Sequence, residues 1–582
     1  STTTTSSSSS SSKVNGASDK PPQKKKNDNK KKEPLPKLQG LRVSIAGAGP
    51  SGLLLAHKLL QQGATVSLFE SRQDPRLLAS TFNKATGFAY YALGLGIRGR
   101  TAIRDVDEDL WQAVKRKGKE CDRFRLHVGP LNFKLRDATR AQRRHQRRQK
   151  RRQRQWKRQK QQQSTLDHNR HVEIEKIDEE LEPALLLFQA DLCISLMDEL
   201  ERRYGKHSNS KQQHEEDNQE DDDSIENGDS DNDNNEDKEK DAEEERFNLN
   251  FQSRVLECDL ERQRIIVERT KNETILKEYD ILVGCDGVNS VVRNAIKKNT
   301  PNFESDKQDL PGEFKVVRLD APPPKLDPHS VALIIPKTGS CTAFMEPTVN
   351  GSCCILFAGR GGPDNPILAS NFYDLDNKTA VLAETLVESF PLLAGADLEE
   401  VADQLISQKP GYASSVICNT YHYGSSVAIA GDAAHATGGV SGQGVNSALL
   451  DSVALSDCLE KYYDPSLKEK SLETSLLEYS KRQVPEGKAL YDLSFGPKPT
   501  GFKKLIYILR GIRDTFFQGR LGIGKPPLQT LLTSSIESFS SIRRKLNYFY
   551  ESPFPVSSSF DTSIEAVYLQ REEVPALEEI KQ

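Results

Sequence analysis

The chain has 582 residues but no apolar run near the roughly 20 that a helix needs to cross a bilayer. The longest candidate towards the C-terminus, "LIYIL" at 505–509, is fenced by Lys504 and Arg510, so no transmembrane segment is expected. The N-terminus is rich in Ser and Thr, then in Lys, and lacks the apolar stretch of a secretory signal. Paired cysteine spacing is missing as well. The nine cysteines are odd in number and include no C-x-x-C pair, which argues against a disulfide scaffold or a zinc site. No metal is expected. Scattered thiols suit a reducing, intracellular compartment, cytoplasmic or mitochondrion-associated, with most of them packed as small core residues. Net charge is small too, at -3, yet it conceals opposite local excesses. Arg and Lys crowd residues 140–160 and Asp and Glu crowd 215–245, so the total says little about partners.

What is present falls into alternating ordered and polar stretches. Residues 1–39 are low in complexity and are expected to be a disordered tail. A nucleotide-binding segment is expected at 40–115, followed by sheet strands at 116–136. A basic insertion at 137–182 precedes an apolar helical segment at 183–206 and an acidic, disordered insertion at 207–246. Residues 247–300 resume the nucleotide-binding part. Residues 301–420 hold strand-like runs cut by Pro and Gly turns, such as "VALIIPKTGSCTAFMEPTVNGSCCILFAG", which predicts an antiparallel sheet. Residues 421–460 return to strand, glycine turn and helix; 461–545 read as helical and 546–582 as a tail. Without the tail and insertions about 450 residues remain, a size suited to a two-domain enzyme. The basic run Arg140 to Lys160 holds a single aromatic, Trp156, so it offers no base-stacking platform and no nucleic-acid partner is expected. Its charge leaves peripheral membrane contact open.

"LRVSIAGAGPSGLLLAHKLLQQGATVSLFE" carries a complete strand–helix–strand pattern. Gly47 permits the tight turn, Gly49 lets a pyrophosphate approach the backbone, and Gly52 lets the helix pack closely on the sheet. Pro50 and Ser51 open the helix, whose first amides would face the phosphates. The second strand ends at Glu70, where a carboxylate would bind an adenosine ribose hydroxyl.

Two more stretches repeat the logic of a strand end meeting a helix N-terminus. In "GCDGVNSVVR", Asp286 and Gly287 sit at the turn with Ser290 and Arg293 beyond; Asp286 either caps the helix or orients amides near a cofactor. In "VAIAGDAAHATGGVSGQGVNSALLD", Asp432 stands at a strand end, where it either caps or accepts a hydroxyl. "GQGVN" then opens a helix at Gly442, Gln443 and Gly444, aimed at an electron-rich group.

In this order, "GAGPSG", "DGVNSVVR" and "GDAAH" resemble the three signatures of the single-component FAD-dependent aromatic hydroxylases, the p-hydroxybenzoate hydroxylase-like family. Within it, "LVGCDG" and "YSKRQVPEGKALYDLS" at 479–494 are similar to the kynurenine 3-monooxygenase branch. The resemblance covers about 41–136, 183–206 and 247–515. It implies an α/β fold: a Rossmann-like FAD-binding domain of GR2 type, a mostly antiparallel β-sheet substrate domain and a C-terminal helical region. It implies that Gly47, Gly49, Gly52 and Glu70 hold the ADP half of FAD, with Gln189 on a helix touching the cofactor and Val255 lining the adenine side. Asp286 and Gly287 would serve both FAD and NAD(P)H, Asp432 the ribityl chain, and Val445 and Asn446 the isoalloxazine. NAD(P)H would reduce the flavin, and the reduced flavin would take up O2 as a C4a-hydroperoxide that hydroxylates an aromatic ring. The chemistry is then flavin-borne and no catalytic side chain is assigned. Arg123 and Arg125 are the candidates for a substrate carboxylate. The sequence departs from the family at Gln189, where Arg is common, and at Gly439, where Pro is common. In the kynurenine branch it departs at Phe133, near a Tyr position, and at Pro497, near an Asn position. Two other readings are a flavoenzyme of different chemistry and a non-enzymatic FAD-binding scaffold. The halogenase signature W-x-W-x-I is absent, since the only tryptophans are Trp111 and Trp156.

"GLGIRG" at 94–99 also fits G-x-G-x-x-G but has no strand-ending acid about 20 residues later. It is read as part of the same FAD domain, with Gly94 approaching the cofactor and Arg98 nearby.

Overall fold

The computed structural model describes residues 37–78, 91–137, 183–205, 246–269, 273–362, 365–369, 377–496, 531–533 and 535–546, with isolated positions at 501, 509 and 513. The expected tails and the two charged insertions lie almost entirely outside the described residues.

β1 (Arg42–Ala46) runs into the first glycine turn and the helix Pro50–Gln61, and β2 (Thr65–Phe69) returns beside it. β1 and β2 pair in parallel, Arg42 opposite Thr65 through Ala46 opposite Phe69. Parallel strands are covered on both faces, which is why both read as nearly unbroken apolar runs. The helix is buried from Ser51 to Leu60, because the helices Gly444–Tyr462 and Gln189–Tyr204 both pack on it. After it come β3 (Ala92–Leu95), the helices Ile97–Arg104 and Glu108–Arg116, β4 (Lys119–Cys121), and the hairpin of β5 (Arg123–Val128) and β6 (Leu131–Asp137). β7 (Ala184–Phe188) lies between β3 and β4 in a small antiparallel sheet.

β8 (Phe247–Asn250) adds a parallel edge beside β2. β9 (Arg254–Asp259), β10 (Arg264–Arg269) and β11 (Glu273–Glu278) form a separate three-stranded meander. β12 (Ile281–Gly284) then pairs in parallel with β1, Ile45 opposite Val283. The second half is built from β13 (Ser305–Leu319), β14 (Val331–Ile335), β15 (Cys341–Pro347), β16 (Cys353–Gly359) and β17 (Gly411–Cys418). The chain returns through β18 (His422–Tyr423) and β19 (Val427–Ile429), and β20 (Ala436–Thr437) closes the edge of the large sheet. The nucleotide-binding sheet has the order β18-β19-β12-β1-β2-β8, and the large sheet β20-β17-β13-β16-β15-β14-β5-β6. The large sheet is antiparallel except where β14 meets β5. The fold is therefore α/β, a six-stranded sheet that is parallel except at its β18 edge joined to a mostly antiparallel sheet.

β15 shows how the large sheet is used. Cys341, Ala343, Met345 and Pro347 are buried, while Thr342, Phe344 and Glu346 alternate with them on the other face. The first face builds a core with the helices Lys378–Ser389 and Leu398–Ser407. The second face meets β3 and β7: Val316 and Cys354 pack with Ala92 and Phe188, and Phe124 and Phe344 pack against Leu186. The C-terminal helices Lys468–Phe495 and Phe539–Leu546 share a small core of their own. Among the described residues no helix is long and apolar enough to cross a membrane, and no group of His, Cys, Asp or Glu could hold a metal ion. Eight of the nine free cysteines are buried.

Candidate cofactor cleft

The three glycines of the first turn do different jobs. Gly47 has φ +102°, and a Cβ there would meet the Cys285 carbonyl oxygen at 2.4 Å. A Cβ on Gly52 would lie 2.1 Å from the Gly47 carbonyl oxygen. A Cβ on Gly49 would have nothing within 4 Å. Two glycines are thus pressed against backbone, and the third faces open space at the N-terminus of the helix Pro50–Gln61. That space, fronted by free helix amides, is a natural anion site.

The three sequence segments meet here although hundreds of residues separate them. Ser51 Oγ lies 3.0 Å from Ser452 Oγ on the helix Gly444–Tyr462. Arg293 is buried; it donates to the Val288 carbonyl at 2.7 Å and to the Ala433 carbonyl at 2.8 Å, tying the second segment to the third. Asp286 Oδ2 accepts from the amides of Val291 and Val292, so it does cap its helix. Its Oδ1 is buried without a hydrogen-bond partner, and burial raises its pKa. Asp432 is reached by solvent, yet it sits deep enough that desolvation raises its pKa as well. Tyr91 is 38% exposed, and its hydroxyl is close enough to feel both Asp432 and Arg72.

Glu70 stands at the far end. Its Oε2 accepts from the Ala48 amide at 2.9 Å, and Arg72 binds the carboxylate through its backbone amide, Nε and Nη2. Burial pushes the Glu70 pKa up, but Arg72 outweighs it and the net shift is downward. The Arg72 side chain is 65% exposed, so a ribose hydroxyl at Glu70 would share the carboxylate with it or displace it. At the other end, Gly442 and Gly444 open the helix Gly444–Tyr462, and a Cβ on either would meet nothing within 4 Å. The residues present fit an extended FAD on three counts: the open space at Gly49, the orphaned Asp286 Oδ1, and the solvent-exposed carboxyl of Asp432.

Other expected residues are placed differently. Asn446 does not face the cleft with its amide. Its Oδ1 accepts from the amides of Gly96 at 2.8 Å and Gly99 at 3.2 Å, and its Nδ2 donates to the Gly94 carbonyl at 3.0 Å. The second glycine formula is thus filled by a protein amide in the position a phosphate would take. Arg98 is turned to the C-terminal segment: it donates to the Leu532 and Glu537 carbonyls and lies 4.4 Å from the Phe539 ring centre. Gln189 opens its helix, its amide bonded to the Tyr91 carbonyl, and Val255 is buried in β9. Val445 is partly buried on the main core, and Gln443 is the N-cap of its helix. Arg123 and Arg125 correct the sequence expectation. Both bind Asp327, at 3.4 and 3.0 Å, so a carboxylate of the protein already answers them. Arg125 registers with Ala332, which registers with Met345, so it lies on the helix-covered face of the sheet, away from the cleft. Phe133 is 47% exposed on the edge strand β6, and Pro497 lies outside the described residues.

A buried pair behind Asp432 escaped the sequence reading. His435 Nε2 is 2.6 Å from Asp451 Oδ2, which also accepts from the Gly431 amide at 2.8 Å, and Tyr421 stacks on the imidazole at 5.7 Å. Desolvation lowers the His435 pKa, but Asp451 outweighs it and the net shift is upward. A folded pKa above the unfolded one makes this contribution full below the ordinary histidine pKa of about 6.5 and lost as pH rises through the folded value. The melting temperature of the wild type is expected to fall from pH 6 to pH 9 more steeply than that of His435→Gln. Parallel profiles would show that the pair contributes nothing to stability.

Residues 40–494 match the family described as "FAD binding domain". Kynurenine 3-monooxygenase of Phaeosphaeria nodorum is 27% identical over 254 residues, 42% of this chain and 49% of that protein. The enzyme of the same name from Salinispora tropica is 30% identical over 257 residues, 42% and 51% of the two chains. Violacein synthase of Chromobacterium violaceum is 24% identical over 315 residues, 52% and 69%. The chain spans about half the length of the kynurenine 3-monooxygenases it matches. Among solved structures, 2-methyl-3-hydroxypyridine-5-carboxylic acid oxygenase superposes with a TM-score of 0.52 at 16% identity, covering 86% of this chain and 99% of that one. HpxO of Klebsiella pneumoniae complexed with FAD and uric acid gives 0.51 at 14% identity, covering 87% and 100%. These structures share the fold. Glycine turn, orphaned Asp286 and exposed Asp432 all lie within the matched span, and the chain belongs to the FAD-binding domain family.

Proposed function

We propose that the chain is an FAD-dependent monooxygenase that uses NAD(P)H and O2 to hydroxylate a small aromatic molecule, with kynurenine the first substrate to test. One observation carries the reading. Three motif segments converge on an open cleft, and the small sheet of β3 and β7 beside it packs on an aromatic-bearing face of the large sheet. FAD, when bound, supplies the electron transfer and the activation of oxygen. The chain supplies position and dryness. The helix amides at Gly49 would hold the pyrophosphate, Asp432 would accept a ribityl hydroxyl, and the N-terminus of the helix Gly444–Tyr462 would favour negative charge on the flavin ring. Phe124 and Phe344, edge-on with ring centres 5.9 Å apart and packed against Leu186, would offer a substrate ring its aromatic wall. The name shared by several relatives, kynurenine 3-monooxygenase, supports monooxygenase chemistry.

The test is direct. The purified protein should be yellow, and it should oxidise NADPH or NADH faster when an aromatic substrate is present, forming a product one oxygen atom heavier. Protein that cannot be loaded with flavin would sink the reading. Flavin without stimulation by kynurenine or by any member of an aromatic panel would favour a binding scaffold.

A further inference from the structure

Glu346 is on β15, on the face turned to β3 and β7. It registers opposite Cys354, and Cys354 registers opposite Arg318, so the three form one row across that face. Cys354 packs with Ala92 and Phe188, and Phe344, two residues before Glu346, packs against Leu186. Solvent reaches Glu346 in part, but no hydrogen bond or ion pair reaches its carboxyl among the described residues. Burial alone pushes its pKa up to about 8. Glu70 is engaged by Arg72, Asp286 by helix amides and Asp451 by His435, and Asp432, which has no hydrogen-bond partner among the described residues either, faces the cofactor cleft and not this face of the large sheet. A desolvated carboxyl without a partner costs free energy, and glutamate is a poor strand former, so neither packing nor propensity accounts for this residue. An unpartnered acid beside aromatic side chains, in a place solvent can reach, has the composition of a ligand pocket.

We propose that Glu346 is a specificity-determining residue that binds a basic nitrogen, an ammonium or protonated ring nitrogen, on the aromatic molecule whose ring lies against Phe124 and Phe344. The inference deepens the monooxygenase reading and rests on it for the identity of the reacting ring; binding itself can be measured without the reaction. A cation arriving at the neutral acid draws it to the carboxylate, and one proton leaves to solvent. The groups facing it are few. β16 brings the Cys354 thiol and β13 brings Arg318, whose guanidinium lies 4.9 Å from the Phe188 ring centre. β3 and β7 bring Ala92, Leu186 and Phe188, without charge.

The experiment is calorimetry on the full chain with two matched pairs of probes: tyramine against 3-(4-hydroxyphenyl)propionate, and tryptamine against indole-3-propionate. Wild type should bind each amine roughly tenfold tighter than its acid partner, about 1.4 kcal/mol, and release about one proton per amine at pH 7. Glu346→Gln should abolish the preference and the proton release while keeping the wild-type melting temperature and flavin content. Glu346→Asp should restore part of both. Binding of the amines by Glu346→Gln at wild-type strength, equal binding of amine and acid by wild type, or no amine binding at all would each overturn the proposal. Absence of flavin from wild type would strike the monooxygenase reading alone, since the calorimetric comparison still decides the role of Glu346.

Discussion

Gly49→Ala is expected to fold like the wild type and to lose its flavin, whereas Gly52→Ala is expected to lose stability as well as flavin. The two glycines are three residues apart in one turn, so the contrast isolates what each does. Gly49 has φ -77° and ψ 177°, a conformation open to any residue, and a Cβ there touches nothing within 4 Å. Folding therefore has no reason to notice the methyl group. A pyrophosphate seated on the helix amides would notice it at once, because the space it fills is the space the phosphate needs. The retained flavin, read from absorbance near 450 nm per protein, should drop roughly tenfold or more, equivalent to about 1.4 kcal/mol of binding. At Gly52 the added Cβ would fall 2.1 Å from the Gly47 carbonyl oxygen, with Ile45 Cγ2 and Cys285 Cβ at 3.2 and 3.3 Å. Only a backbone shift relieves that clash, at a cost of about 1–3 kcal/mol or more. A lowered melting temperature should accompany the loss of colour. Full flavin content in Gly49→Ala would mean that the open space is not a phosphate site.

The architecture was legible because its signals are local. β1, the glycine turn, its helix and β2 lie within thirty residues, and the parallel pairing of β1 and β2 follows from their unbroken apolar runs. The alternation along β15 and the turns around it announced an antiparallel sheet equally well. The lessons lie where a side chain finds its partner across the chain. The amide of Asn446 could not be predicted to clamp a turn 350 positions earlier, because nothing in either stretch encodes the meeting. Arg98 was likewise read from its neighbours, while its partners are the carbonyls of Leu532 and Glu537. Arg123 and Arg125 looked available because Asp327 sits on another loop. Glu346 went unremarked because an acid in a strand reads as a solvent-facing position, and only the packing of β15 on β3 and β7 shows what it faces.

Asn446→Ala is expected to be the most damaging single change outside the first turn. It leaves the amides of Gly96 and Gly99 and the carbonyl of Gly94 without their partner, in a place where Asn446 itself is fully buried. Each unsatisfied buried group costs about 1–3 kcal/mol, so several kcal/mol of stability should be lost. The damage should travel along the chain in a stated direction. The turn at 94–99 carries Arg98, and Arg98 holds the carbonyls of Leu532 and Glu537 and lies over Phe539. A loosened turn frees that guanidinium, so limited proteolysis should cut the segment around 531–546 in Asn446→Ala before it cuts the wild type. Flavin should be lost as well, because Asn446 belongs to the first turn of the helix Gly444–Tyr462, whose N-terminus borders the cleft. Asn446→Asp separates the two roles of the amide. It keeps an acceptor for Gly96 and Gly99 at the N-terminus of the helix Ile97–Arg104, where negative charge is favoured, and loses only the donor to Gly94. Its melting temperature should lie between those of wild type and Asn446→Ala, with the C-terminal segment still protected. Equal protection in all three proteins would show that the C-terminal segment is held independently of the turn.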